Sequence, residues 1–107
     1  MARSKNQTNA LENVFQIEFE NALKEAEVNH KIRFPTLRRM LKAKGHVAVA
    51  KQLLGSMEPS KGFIKLLQAG RPDLTLEYIA LHPKFITLFS NAEVAIAREK
   101  LLTEWDI

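Results

Sequence analysis

The chain has 107 residues, 46% of them hydrophobic, so it is long enough for one compact domain and too short for two ordinary ones. It contains no cysteine, which excludes disulfides, thiolate nucleophiles and cysteine-ligated metal centres. Its net charge of +4 raises the chance of contact with nucleic acid or an acidic partner but identifies neither. Because no long apolar span and no signal-peptide core are evident, we expect a cytoplasmic protein.

The N-terminal part of the sequence predicts one long helix. Residues 1–8 are polar and predict a disordered tail, which leaves residues 9–107 as a single helical domain. Asn9 and Glu12 have the spacing of a capping box, and apolar residues follow at steps of three and four over about five turns. The expected inward positions are Leu11, Val14, Phe15, Ala22, Leu23 and Ala26. Such a helix suits either packing onto its own domain or a role as a dimer element.

Glycine and proline divide the rest of the chain into short apolar segments with helical spacing. Gly45, Gly55 and Gly70 are expected to end three helices in the left-handed conformation. Ser90 and Glu93 form a capping box before the last segment. The expected helices after the first span residues 35–44, 47–54, 60–69, 76–81, 83–89 and 91–105. Since no convincing strand pattern or fixed repeat occurs, the sequence predicts an all-α protein, a compact orthogonal bundle of six or seven mostly short helices.

Charge is segregated along the chain. Residues 31–71 hold ten of the sixteen bases and a single acid, Glu58, whereas both flanks are mildly acidic. The segment also has the order helix, helix, turn, helix, which resembles a helix-turn-helix. On that interpretation the residues that contact nucleic acid are Arg38, Arg39, Lys42, Lys44, Ser60, Lys61, Lys65, Gln68 and Arg71. The turn from Gly55 to Pro59 is longer than is usual for this motif, and Gly62 sits where a rigid recognition helix is expected.

Two functions therefore remain open at the level of sequence. The first is a protein-protein or homo-oligomerisation module, which would bind through apolar anchors such as Phe15, Phe19, Phe85 or Trp105 if these are exposed. The second is a nucleic-acid-binding protein, to DNA or RNA, that uses the basic segment. The alternative to nucleic-acid contact is that the ten bases are ordinary solvated charge spread over several helices, with long stems that cover apolar surface.

Residues suited to catalysis or metal binding do not converge in the sequence. The histidines His30, His46 and His82 are far apart, the serines fall in turn or cap positions, and no phosphate-binding loop is present. Lys100 and Glu104 are four residues apart, which predicts an ion pair on a solvated helix face. We expect neither an enzyme nor a cofactor, a metal, a membrane or a small-molecule substrate.

Residues 62–101 contain a more specific pattern. Its pieces are Gly62-Phe63, the run Gly70-Arg71-x-Asp73-Leu74-Thr75-x-Glu77, Leu88-Phe89 and Ala97-Arg98. They resemble a small helical module of uncharacterised prokaryotic proteins, over less than half of the chain. The resemblance implies no activity and transfers no site. In physical terms Gly70 is a helix stop, Asp73 or Thr75 caps the next helix, and Arg71 pairs with Asp73 or Glu77.

Overall fold

A computed structural model describes the backbone of residues 2–105 and the side chains of residues 10–104. The predicted all-α class is confirmed, and no strand occurs in the described backbone. The α-helices are α1 (Ala2–Asn29), α2 (Pro35–Lys44), α3 (His46–Leu54), α4 (Lys61–Gln68), α5 (Leu76–Ala80) and α6 (Asn91–Trp105). Short 3-10 turns at Pro72–Leu74 and Ile86–Leu88 complete the bundle.

Helix α1 is longer than predicted. Its backbone is helical from Ala2, so Asn9 lies inside the helix and the expected capping box does not mark its start. The disorder expected for residues 1–8 stays a prediction, and Met1 lies outside the described residues. At the other end, the N–H of Ile32 donates to the carbonyl of Ala26 (3.2 Å), and Lys31 adopts a left-handed φ of 57°. This ending reverses the chain towards α2.

Two of the three predicted glycine stops have a positive φ, 90° at Gly45 and 75° at Gly70. Gly55 does follow the last residue of α3 as predicted, but its φ of −74° is right-handed, so only the predicted left-handed conformation is wrong. Gly62 has a different role, since a Cβ at this position would lie 3.1 Å from the ring of Phe34. The absence of a side chain therefore lets Phe34 cross the first turn of α4.

The segment from Pro83 to Phe89 is not the predicted α-helix but a series of turns with one 3-10 turn. Its apolar residues still face the core, because Phe85 and Phe89 are buried. The predicted capping box is confirmed, with the Glu93 N–H donating to Ser90 Oγ (3.1 Å) and the Ser90 N–H to Glu93 Oε1 (2.9 Å). Of the two candidate caps before α5, Thr75 is the one used, and it accepts from the Tyr78 N–H (3.1 Å).

The core forms around Phe15 on α1. Its ring centroid lies 5.3 Å from that of Phe85, 5.4 Å from that of Phe89 and 5.7 Å from that of Phe19. Phe15, Phe19 and Phe85 are buried, so the exposure that would let them anchor a partner is not present. Trp105, the fourth expected anchor, has a side chain outside the described residues. Val14, expected to face inward, is 39% exposed.

A buried ion pair joins α6 to the rest of the bundle. Lys100 Nζ lies 2.8 Å from Glu77 Oε2 on α5 and donates to the carbonyl of Leu53 on α3 (3.0 Å). Lys100 and Glu77 are each only 3% exposed. The predicted Lys100–Glu104 pair on a solvated face is therefore wrong. Lys100 instead connects α6 to α5 through Glu77 and to α3 through Leu53.

Candidate interaction surfaces

Acidic side chains of α1 hold α2 against it through one arginine. Arg38 Nη1 donates to Glu20 (2.7 and 2.8 Å), while its Nε and Nη2 donate to Glu27 (3.0 and 2.8 Å). His46, at the start of α3, places Nε2 2.7 Å from Glu20 Oε2. Charge-assisted bonds of this bidentate kind are among the stronger and more directional polar contacts in proteins. Arg38, predicted to contact nucleic acid, is thus used within the fold.

Glu20 should make the stability of the protein depend on pH in the acid range. Burial opposes its ionisation, but hydrogen bonds from Arg38 and His46 outweigh this and hold its pKa below the ordinary value of 4.5. A carboxyl whose pKa is lowered on folding stabilises the protein above its unfolded pKa, and that contribution is lost as the pH falls through the folded pKa. We therefore expect the free energy of unfolding to decline below about pH 4.5, and to decline less steeply in Glu20→Gln.

Urea unfolding at a series of pH values from 7 to 3 measures this effect. Glu104→Gln, which removes a carboxylate from an exposed position on α6, is the matched control. An acid dependence for Glu20→Gln as steep as that of the control would contradict the prediction.

A second arginine, Arg71, binds side chains near the C-terminal end of α1. Arg71 binds Asp73 through two hydrogen bonds (3.1 and 2.9 Å), donates to Glu25 (3.3 Å), and places Nη1 3.0 Å from Nε2 of His30. The bonds from Arg71 lower the pKa of Asp73. Arg71 therefore pairs with Asp73 rather than with Glu77, which resolves the alternative left by the sequence. Carboxylates of α1 therefore bind two arginines of the basic segment, so part of the charge segregation along the chain serves contacts within the fold.

Other residues of the predicted nucleic-acid site differ in their surroundings. Ser60 caps α4 by accepting from the Phe63 N–H (3.1 Å), and Lys44 donates to Gln52 (3.1 Å). The remaining members are exposed and form no side-chain hydrogen bond or ion pair with the described residues: Arg39, Lys42, Lys61, Lys65 and Gln68. The ring of Phe34, the residue before α2, lies close to Gly62 in the first turn of α4.

The arrangement of α3 and α4 differs from a helix-turn-helix. Helix α3 packs mainly on α1, α2, α5 and α6, whereas α4 packs on α6 and on the 3-10 turn Pro72–Leu74. These two helices are not among the pairs in extensive contact, although a helix-turn-helix depends on such packing. The basic side chains that remain available are therefore not presented by that motif.

The outer face of α1, turned away from the bundle, carries a regular pattern that the sequence interpretation missed. We call it the outer stripe. Its members are all exposed and follow one another at steps of four and three: Ala10, Val14, Ile17, Asn21, Lys24 and Val28. This is the spacing of the a and d positions of a heptad. Val14, Asn21 and Val28 occupy a positions, while Ala10, Ile17 and Lys24 occupy d positions.

The apolar members of the outer stripe are substantially exposed, with Ile17 at 59% and Val28 at 66%. The sequence interpretation placed Val14 on the inward face and so merged two stripes on one helix. Phe15, Phe19, Ala22 and Ala26 form the inner stripe, which is buried in the core. The outer stripe repeats at the same steps of three and four residues on the opposite side of α1. That second repeat was the available clue.

The flanks of the outer stripe carry carboxylates that already have cationic partners. Glu18 and Glu25 lie on one flank, where Lys84 pairs with Glu18 and Arg71 with Glu25. Glu20 and Glu27 lie on the other flank, and both bind Arg38. A helix laid along the stripe would therefore meet paired charges rather than a row of bare acids.

An open cleft of about 430 Å³ lies before α2. It is lined by Lys31, Arg33 and Arg38 together with Glu27 and the apolar Ile32, Phe34 and Pro35. Among residues 10–104, no cluster of His, Asp or Glu is arranged to hold a metal ion. No described helix combines the length and apolar character needed to cross a membrane.

Comparisons with protein-family models, with curated proteins and with solved structures gave no match. The resemblance of residues 62–101 to a helical module therefore stays an expectation. Five residues of its most specific run, Gly70 to Glu77, have a structural explanation. Gly70 has a positive φ, Arg71 binds Asp73, Thr75 caps α5, and Glu77 forms the buried pair with Lys100.

Proposed function

We propose that this protein is a helical interaction module that forms a homodimer through the outer stripe of α1. The observation that carries the proposal is the heptad spacing of exposed residues over 19 positions, with Val14, Ile17 and Val28 open to solvent. A helix inside a single domain needs only one apolar face, and α1 already has one around Phe15. A second face at coiled-coil spacing is typical of a helix that packs against another helix.

Three features support a second copy of the chain as the occupant. Val14 and Val28 are β-branched residues at a positions, which favour two-stranded packing, although Ile17 stands at a d position where leucine is more usual. Asn21 lies at a central a position, where a single asparagine commonly specifies pairing between like helices. The carboxylates on both flanks are paired with cations, so two copies can approach without a large electrostatic penalty.

The size of the stripe indicates a weak dimer. From Ala10 to Val28 it is about 27 Å long and about 10 Å wide by helix geometry, or roughly 300 Å² on each copy. The pair would bury well under the ~1,200 Å² of stable complexes. We expect a dissociation constant on the order of 10 µM, equivalent to about −7 kcal/mol.

Sedimentation velocity between about 1 µM and 1 mM tests the proposal, because this range spans the expected dissociation constant. The unchanged chain should shift from monomer to dimer. Ile17→Asp should weaken association at least about tenfold, since it places a carboxylate in the apolar layer. Leu102→Asp is the matched control, because Leu102 on α6 is 65% exposed and Ile17 is 59% exposed. A monomer at every concentration, or equal effects of the two variants, would contradict the proposal.

A second candidate function is the binding of nucleic acid by the exposed bases of α2 and α4. It is favoured by one observation, that Arg39, Lys42, Lys61 and Lys65 are exposed without side-chain partners in the described residues. Binding of this kind should weaken steeply as salt increases, by a slope that reports the number of phosphates neutralised.

A mobility-shift titration at low and raised salt tests this candidate with DNA and RNA duplexes and single strands. The paired changes Arg39→Glu with Lys42→Glu, and Lys61→Glu with Lys65→Glu, should each reduce binding. Arg38 is left unchanged because its loss would disturb the contact between α1 and α2. Arg98→Glu, at an exposed position on α6, is the control. Binding that tolerates both paired changes would rule out this surface.

A further inference from the structure

We infer that the two α1 helices of the dimer run parallel and in register, with Asn21 of each chain facing Asn21 of the other. This inference rests on the proposed self-association and specifies its geometry. It follows from the order of residue types along the outer stripe, which is apolar at Val14 and Ile17, polar at Asn21 and Lys24, and apolar again at Val28.

Parallel packing in register places each member of the stripe against its own copy. Val14, Ile17 and Val28 then form three apolar layers, and apolar surface is buried against apolar surface. An asparagine side chain both donates and accepts, so two facing Asn21 amides can satisfy one another. The polar layer then fixes the register, because a shift by one heptad would leave each amide without a partner.

Antiparallel packing that overlaps the whole stripe is centred on residue 19 and produces mismatched layers. Ile17 would face Asn21 of the partner subunit, and Val14 would face Lys24 of the partner subunit. Each amide would then be covered by an apolar side chain without a hydrogen-bond partner, which is costly. The two mismatched layers, Ile17 with Asn21 and Val14 with Lys24, would each occur on both sides of the dimer axis. The other antiparallel register, centred between residues 22 and 23, pairs Ile17 with Val28 but leaves Val14 without a facing residue, because α1 ends at Asn29. The parallel arrangement therefore buries the largest number of apolar layers.

Lys24 is the least favourable residue for the parallel arrangement, because two ammonium groups share a layer. A d-position side chain of a parallel pair lies next to the e position of the facing helix, which is occupied by Glu25 of the partner subunit. Glu25 is already paired with Arg71 of its own chain (3.3 Å), so an ion pair between Lys24 and Glu25 of the partner subunit would share that carboxylate and offset only part of the repulsion between the two lysines. The long, flexible stem of lysine allows the ammonium to reach this edge while remaining hydrated.

Single-cysteine variants test the orientation directly, because the chain has no cysteine of its own. The full-length Val14→Cys variant is incubated with a mixture of reduced and oxidised glutathione. When two thiols join, the oxidised form takes up the two electrons and two protons and becomes two molecules of reduced glutathione. In a parallel dimer the two residues at position 14 face each other, so their Cα atoms are close enough for the two thiols to form a disulfide. In the antiparallel dimer they would lie about 15 Å apart along the axis, beyond the ~7 Å that a disulfide spans.

Gln16→Cys is the matched control for random collisions, because residue 16 is exposed on the same helix but lies off the stripe. We expect Val14→Cys to form at least tenfold more disulfide dimer than Gln16→Cys at equal concentration. In an equimolar mixture of Val14→Cys and Lys24→Cys, mass spectrometry should find chiefly disulfides between like chains. A dominant mixed disulfide would overturn the parallel orientation while leaving self-association intact.

A second variant tests the role of Asn21. Asn21→Val should strengthen association at least tenfold and should allow species larger than the dimer in sedimentation, since a polar a residue costs stability and limits the oligomeric state. Unchanged or weaker association of Asn21→Val would overturn the assignment of Asn21 to the interface. A chain that remains monomeric at 1 mM and forms no excess disulfide at position 14 would contradict the proposed function itself, which separates the two failures.

Discussion

Replacement of Glu77 by leucine is expected to destabilise the fold by about 3–5 kcal/mol, a large share of the stability of a domain of this size. Glu77 and Lys100 form an ion pair at 2.8 Å and are both only 3% exposed. The substitution leaves the Lys100 ammonium buried with only the carbonyl of Leu53 as a polar partner. Desolvation of a charge without a counter-ion accounts for the size of the effect.

A double-mutant cycle distinguishes the pair from simple loss of packing. Lys100→Met should cost a similar amount, whereas the combination Glu77→Leu with Lys100→Met should recover most of the loss because no buried charge remains. The carbonyl of Leu53 keeps the N–H of Ser56 as a donor (3.2 Å), so it is not orphaned in the double variant. Urea unfolding measures the free energy of unfolding of the unchanged chain, the two single variants and the double variant. Additive losses in the double variant would show that the two residues do not interact.

Replacement of Phe15 by alanine is the second large expected effect, also about 3–5 kcal/mol. Phe15 is fully buried and touches three other phenylalanines, Phe19, Phe85 and Phe89, in tilted or edge-on geometry. Truncation would remove these contacts and leave a cavity between α1 and the segment before α6. Thermal or urea unfolding should show the loss directly. A change below about 1 kcal/mol would contradict the described core.

Ile17→Asp provides the contrast for Phe15→Ala. The two residues are two positions apart on α1 but lie on different faces, so one is buried and the other is 59% exposed. Phe15→Ala should lower stability at any protein concentration, whereas Ile17→Asp should leave monomer stability nearly unchanged and alter only association. Unfolding at low concentration, where the protein is monomeric, separates the two effects.

The charge pattern has a structural meaning that its distribution along the sequence did not reveal. Arg38 and Arg71 each bind two carboxylates, and α1 supplies three of these four, Glu20, Glu25 and Glu27. Acidic α1 and the basic segment are thus complementary parts of one fold. The bases that remain exposed, such as Arg39 and Lys61, are fewer than the sequence suggested, which is why we place self-association before nucleic-acid binding.

The sequence by itself determined the features that depend on neighbouring residues. The all-α class, the stops at Gly45 and Gly70 and the Ser90–Glu93 capping box are all present. Each of these rests on backbone conformation or on a hydrogen bond between residues three or four positions apart, and such contacts form whatever the rest of the chain does. The heptad spacing of α1 was also readable, although it was assigned to one face instead of two.

Only the tertiary structure decided which charges are buried and which helix face is left open. Lys100 has a nearby carboxylate at Glu104, yet it pairs with Glu77, 23 positions away, because α6 packs between α3 and α5. The segment 83–89 has helical spacing, yet the positions of Phe85 and Phe89 around Phe15 hold it in turns. Phe15 faces the core and is buried, which turns the neighbouring Val14 away from the core and leaves it 39% exposed. Burial depends on contacts between distant parts of the chain, and those are set by packing rather than by local pattern.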